Sequence, residues 1–224
     1  SLFNDPTESH RYVIAVLRDP ASRGGSRAMH DEVVEGQLLE ISPPKNHFPL
    51  AHDARRHLLL AGGIGVTPIL CMAERLANTG GHFDMHYCTR APERTAFRQR
   101  IADSGFASQV CFHFDDGAAA QKLDLDAVLA NPADGVHLYV CGPKGFMDAV
   151  LTTARAKAWP RRSCTTSFSR GRRYRLRAMG ASRYSLQVRE RSLPWKPEKP
   201  SWRPCRMRAS TCRFPASRAS VAPA

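Results

Sequence analysis

Apolar residues fall along this chain in two rhythms. From residue 57 short apolar runs alternate with segments of helical spacing, which predicts strands at 57–61, 83–88, 110–114 and 136–141 and helices at 67–78, 92–102, 124–130 and 144–157. Four successive βα units favour a parallel sheet wound by crossover helices. Ahead of them the pattern is different. Residues 11–17 form a β-branched and aromatic run ended by Asp19-Pro20, a turn rich in glycine follows at 22–26, and residues 27–35 have helical spacing. A second strand at 38–42 stops at Pro43-Pro44. This reads as a small β-rich unit with one helix. After Trp159-Pro160 the periodicity fails, and residues 161–224 are rich in Arg, Ser, Pro and Ala. Such a composition predicts disorder. The pattern divides the chain at 1–52, 53–160 and 161–224, with no internal repeat.

Charge changes the picture only at the end of the chain. The formal charge is +13, but residues 161–224 hold 17 of the 33 Lys and Arg against Glu190 and Glu198 alone, so residues 1–160 are slightly acidic at −2. A basic arm is the electrostatic footprint of a nucleic-acid partner. Here the tail interleaves no aromatic platform and carries no nucleic-acid motif, so nucleic acid is not the favoured partner. The seven cysteines include no C-x-x-C pair and make no metal site as written. An odd number of cysteines scattered through apolar runs suits reduced thiols in a cytosolic protein. No run of 18 apolar residues exists and the first residues lack a signal-peptide pattern, so the chain reads as soluble and cytoplasmic, without a membrane partner. It begins without Met in what reads as the middle of an element, so an N-terminal part is expected to be missing.

Two strand ends carry candidate chemistry. His57-Leu-Leu-Leu-Ala-Gly62-Gly63-Ile64-Gly65-Val66-Thr67-Pro68 is a buried strand, three glycines, and a helix opening with Thr at the cap and Pro in the first turn. Glycines at such a place let backbone approach a pyrophosphate, and free N–H groups of the helix supply positive charge. A turn that binds nothing has the same glycine pattern. Val136-His-Leu-Tyr-Val-Cys141-Gly142-Pro143 is a second strand ending before a helix. Ligands of open parallel sheets lie beyond the carboxyl ends of strands, where both motifs fall. Cys141 is placed to contact a planar ring, although a buried structural thiol is the commoner role of a single cysteine.

The ordered set Gly62-Gly-Ile-Gly-Val-Thr-Pro, His86-Tyr-Cys-Thr-Arg90, His113-Phe-Asp-Asp-Gly117 and Tyr139-Val-Cys-Gly-Pro143 resembles the ferredoxin-reductase superfamily. Within it, residues 1–160 are most similar to the phthalate dioxygenase reductase and vanillate O-demethylase reductase family, an α/β nucleotide domain preceded by an antiparallel β-barrel flavin domain. The resemblance implies that Gly62, Gly63, Gly65, Thr67 and Pro68 hold the pyrophosphate and that Arg90, Asp115 and Asp116 surround the adenosine half. It implies that Cys141, Gly142 and Pro143 set the nicotinamide against the flavin, with Cys141 the residue touching the reacting ring. It further implies that Ser1 and Asn4 follow the flavin, and that Gly24, Gly25 and Ser26 hold the FMN phosphate, where a loop with Ser26 as N-cap is the plainer reading. His30 and Asn46-His47-Phe48 match family positions, but packing explains them as well.

The implied activity is that of an oxidoreductase. Hydride passes from NADH to FMN and electrons continue to a [2Fe–2S] centre and a Rieske-type oxygenase component, the cofactors doing the difficult chemistry. Asp115 and Asp116 favour NADH over NADPH, while Arg90 and Arg94 act the other way. As written, the chain lacks the cluster ligands and is expected to transfer electrons poorly. A nucleotide-binding module with a basic arm and an inactive pseudo-reductase are the competing classes.

The tail departs from the family. Moving the reading frame back one nucleotide lets residues 161–168 restore to E-A-Q-L-H-H-E-F, the acidic-aromatic segment of relatives. The last fourteen residues can likewise restore to D-V-P-F-S-C-E-Q-G-V-C-G-T-C, with cysteines at Ala216, Val221 and Ala224 in the C-x4-C-x2-C spacing of a plant-type ferredoxin. The basic tail is thereby read as an out-of-frame remnant of a linker and [2Fe–2S] domain.

Overall fold

The computed structural model describes residues 1–8, 10–41 and 43–167, and the backbone of 182–185. Its centre is a five-stranded parallel sheet in the order β4-β3-β2-β5-β6, with β2 Arg56–Gly62, β3 His82–Thr89, β4 Val110–Phe114, β5 Val136–Cys141 and β6 Cys164–Thr166. β2 is flanked on both edges and covered on both faces, which is why His57-Leu-Leu-Leu-Ala reads as a continuous apolar run. Its side chains alternate between two cores. Leu59 and Ala61 join Met85, Tyr87 and Tyr139 against α2 (Val66–Asn78), whose Val66, Ile69, Leu70, Ala73 and Leu76 make one apolar face. Leu58 and Leu60 join Leu138 and Val140 against Val150 and Ala154 of α5 (Lys144–Ala156) and Leu129 beside the short α4 (Leu125–Val128). Full burial of each such side chain contributes about 1.5–3 kcal/mol.

Two elements of this unit differ from the sequence expectation. The region expected to be helical over 92–102 is a 3-10 turn, Pro92–Arg94, then α3 at Arg98–Ala102, because Phe97 takes φ 60° and its ring lies 4.6 Å from that of Phe3. The sheet also continues past the expected boundary at 160. Arg161–Ser163 form a 3-10 turn and β6 pairs with β5 through Leu138↔Cys164. Three half-buried edge residues need only backbone pairing, so no side-chain period announced them.

The first 52 residues are organised more sparsely. α1 spans Gly25–Asp31 rather than 27–35 and buries no residue, and β1 (Leu38–Ile41) pairs antiparallel with β7 (Ser182–Ser185). The run at 11–17 makes a single bridge, Leu2↔Ile14, instead of a strand. The expected flavin barrel is not formed among the described residues. The restored cysteine positions, and the disorder expected of the tail beyond residue 167, lie outside them apart from the backbone of β7.

Candidate functional site

The strand order reverses between β2 and β5: the chain leaves β2 outward through β3 and β4 and returns to β5 on the opposite side. Crossovers diverge at such a point and open a crevice at the carboxyl ends of the two strands. Here those ends are Gly62 and Cys141. The glycine turn and the Cys-Gly-Pro segment are therefore neighbours although far apart in sequence.

Close backbone contact defines the crevice. A β-carbon on Gly65 would lie 2.3 Å from the carbonyl oxygen of Cys141 and 2.6 Å from the nitrogen of Gly142. The sequence assigned Gly65 to the approach of a pyrophosphate, but the space beside it is filled by the chain's own backbone, so its smallness joins the two loops. Gly63 differs: its φ is +51°, and nothing lies within 4 Å of where a β-carbon would be. It is the glycine of this turn with an open face.

α2 begins one residue earlier than expected, with Gly65 as its N-cap and no side chain capping its first turn. Thr67 is not the cap. It is buried in the second helical position and its hydroxyl donates back to the Ile64 carbonyl at 3.2 Å, because the 3-10 turn Gly63–Gly65 extends the helix backwards. The Val66 N–H, the first of α2, is taken by carbonyls of the 3-10 turn and Pro68 has none, so what α2 presents to the crevice is the positive end of its dipole. An open glycine beside an uncapped helix start fits a pyrophosphate.

On the other side, Pro143 caps α5 and is exposed, and Cys141 is half-buried. Burial pushes the Cys141 thiol up from its ordinary value, partly opposed by a hydrogen bond with the Ser167 side chain and by the Ser1 ammonium. The group is thus a neutral thiol near pH 7, suited to contact a ring and not to attack it. Asn4 is directed elsewhere: it is buried, its Oδ1 accepts from the Val13 N–H at 3.1 Å and its Nδ2 donates to the Asp5 and Arg11 carbonyls. Its amide is engaged in tying the N-terminal segment to residues 11–13.

Arg90, Asp115 and Asp116 come together at the carboxyl ends of β3 and β4, all exposed, through Asp115 N–H to Thr89 C=O at 3.1 Å and Asp116 N–H to Arg90 C=O at 3.0 Å. Beside them is a pair that sequence reasoning passed over. His86 Nδ1 and His113 Nε2 are 2.9 Å apart with stacked rings. Burial first, and then the partner ring, pull His86 down to about 4, and burial lowers His113 as well. Cys88 is pushed up to about 12 by burial and the Asp115 carboxylate. Period-2 spacing of polar residues on β3 and β4 was the available signal.

Gly24, Gly25 and Ser26 open α1. Gly24 is the N-cap, with φ 112°, and neither glycine's β-carbon position meets an atom within 4 Å. Ser26 lies inside the helix and not at its cap, and its hydroxyl accepts from the Asp19 N–H at 3.3 Å. His30 Nε2 lies 2.8 Å from the Val16 carbonyl and Asn46 Oδ1 accepts from the Phe48 N–H, so both have packing roles. Among the described residues no group of three or more His, Cys, Asp and Glu is placed to hold a metal ion, and no helix is long and apolar enough to cross a membrane.

Comparison with known proteins agrees with this arrangement. The family described as dimethylamine monooxygenase subunit DmmA-like, N-terminal domain, matches residues 39–164. The vanillate O-demethylase oxidoreductase of Pseudomonas putida is 56% identical over 159 residues, covering 71% of this chain and 50% of that protein. The phthalate 4,5-dioxygenase oxygenase reductase subunit of the same species is 48% identical over 152 residues, 67% of this chain and 47% of that protein. The chain thus spans about half the length of the curated relatives it matches. Among solved structures, phthalate dioxygenase reductase, described as a modular structure for electron transfer from pyridine nucleotides to [2Fe–2S], superposes with TM-score 0.69 and 40% identity over 75% of this chain and 52% of that one. In fold, in the order of its strand-end motifs and in sequence, this chain belongs to the vanillate O-demethylase and phthalate dioxygenase reductase family, whose ferredoxin-reductase-like flavin- and NAD-binding region it carries.

Proposed function

We propose that this chain supplies the NADH-binding domain, and the adjoining part of an FMN-binding domain, of a reductase that delivers electrons to a Rieske-type oxygenase or demethylase component. The meeting of the open Gly63 turn with the Cys141-Gly142-Pro143 strand end at the β2–β5 switch point carries this reading. Gly63 and the positive N-terminal end of α2 hold the pyrophosphate; Arg90, Asp115 and Asp116 line the adenosine half, where the two carboxylates disfavour a 2′-phosphate. The neutral Cys141 thiol lies against the nicotinamide, and Ser1 with the Gly24-Gly25-Ser26 loop belongs to the flavin side. A bound FMN would supply hydride acceptance and single-electron release, while the residues around it and around the nicotinamide would orient the two rings and exclude water. Residues 1–52 form the flavin part, 53–160 the nucleotide part, and 161–224 are an out-of-frame linker and [2Fe–2S] remnant, whose Cys164–Thr166 nonetheless extend the sheet. Sequencing the coding locus checks the last assignment: absence of the C-x4-C-x2-C series in the frame one base back removes it.

Fluorescence titration with NADH tests the core of the reading. Wild type should bind, NADPH should bind more weakly, and Gly65→Val should weaken NADH at least about tenfold, since its side chain separates the two loops. Equal NADH affinity in wild type and variant contradicts the assigned site.

A further inference from the structure

One side chain outside the expected motifs touches both of them. Phe146 lies in the first turn of α5, half-buried, and packs with the Leu58, Leu60 and Val140 core. A β-carbon on Gly62 would lie 2.9 Å from Phe146 Cδ1, and one on Gly142 would lie 2.9 Å from the same atom. The same Gly142 β-carbon would be 3.0 Å from Gly62 Cα. A single ring edge therefore rests on the residue that ends β2 and on the residue that follows β5, at the place where these backbones already touch. Close-packed interiors transmit a change of one methylene, so the size of this ring sets how far apart the two loops stand.

We propose that Phe146 is a positioning residue of the dinucleotide site: its ring fixes the separation between the Gly63 turn and the Cys141 strand end. The proposal rests on the NADH reading above. A dinucleotide has a fixed covalent reach between its pyrophosphate and its nicotinamide, so a protein that grips both must hold its two grips at a matching distance. Ligands that use one grip are indifferent to that distance. ADP-ribose, which has the pyrophosphate and adenosine but no nicotinamide, is such a ligand.

This asymmetry separates positioning from general support of the fold. In the 224-residue chain, NADH and ADP-ribose are titrated against wild type, Phe146→Leu, Gly142→Ala and the double variant, with circular dichroism to establish folding. Phe146→Leu should weaken NADH about tenfold and leave ADP-ribose within about twofold. Gly142→Ala should weaken NADH by more, because its methyl group meets both the ring and the Gly62 backbone, and adding Phe146→Leu should restore the part of the loss that the ring causes. Unchanged NADH affinity in a folded Phe146→Leu variant overturns the proposal while leaving the dinucleotide reading intact. So does equal weakening of both ligands, or a double variant no better than Gly142→Ala. If Phe146→Leu does not fold, the double-variant comparison is made with Phe146→Met, whose flexible chain also relieves the contact. Wild-type protein that binds neither ligand overturns the dinucleotide reading and this proposal together.

Discussion

The two described regions of the molecule treat their apolar residues in opposite ways. Between residues 56 and 167 the strands of the parallel sheet are covered, and large apolar side chains are buried or half-buried, Ile64 at the glycine turn being the exposed exception. In residues 1–52 the buried residues are Phe3 and Asn4, while Leu17, Val34 and Leu38 are 58%, 62% and 63% exposed. Both regions have enough apolar residues for strands. A βα unit supplies its own cover, since each crossover helix packs on the strands it connects. An antiparallel sheet has no such local cover and depends on further strands or a second layer. The first region accordingly leans on the second: Phe3 enters the α2-side core, and the Phe48 ring and Ala51 N–H reach Tyr139, the latter at 2.7 Å to its hydroxyl.

The sharpest contrast should come from equal truncations in the two regions. Leu60→Ala, in the fully buried centre of β2, should cost about 2–5 kcal/mol, whereas Leu38→Ala on β1 should stay within about 0.5 kcal/mol. Urea unfolding followed by far-UV circular dichroism measures both. Similar losses would mean that β1 is covered in solution by something other than the described residues.

Acid should act on the second region next. His86 titrates near 4 in the folded chain against an ordinary value of 6.5, and His113 is lowered too, so the fold favours their neutral forms. The unfolded chain then binds more protons, and stability present above pH 6.5 is lost as pH falls towards 4. The loss should be about 1–2 kcal/mol between pH 7 and 5. His86→Leu should flatten that part of the profile; an unchanged slope in urea midpoint against pH would assign the acid sensitivity elsewhere.

The smallest effect concerns the contact between the regions. Arg100 donates to Glu74 Oε1 from Nε at 3.1 Å and Nη2 at 2.6 Å, and its guanidinium lies 5.3 Å from the Phe3 ring centre. Burial raises the Glu74 carboxyl and Arg100 opposes it, while Glu74 Oε2 is buried without a partner. With Arg100 38% exposed, solvent screens the pair, and Arg100→Leu should cost about 1 kcal/mol. Amide exchange should quicken at Phe3, whose N–H donates to Val13, more than in the centre of β2. Equal change at both sites would show that Arg100 supports the whole fold and not this contact.

The sequence by itself determined the second region closely. Four strands, α2, α5 and the strand-end positions of Gly63, Cys141, Arg90 and Asp115 followed from periodicity and glycine placement, because buried parallel strands and amphipathic helices write their burial directly into apolar spacing, whereas the helix expected over 92–102 was broken at Phe97. β6 escaped, since three edge residues held by backbone pairing leave no such record. Tertiary structure alone decided what each glycine is for. Gly63 and Gly65 look alike in sequence, yet one faces open space and the other presses on Cys141, and that depends on which distant loop arrives beside them. The same holds for Asn4, turned inward to Val13, for the His86–His113 pair and for Phe146, whose ring meets both motifs. Local sequence sets the conformation a segment can adopt; contacts between segments remote in the chain set which of its atoms are left for a ligand.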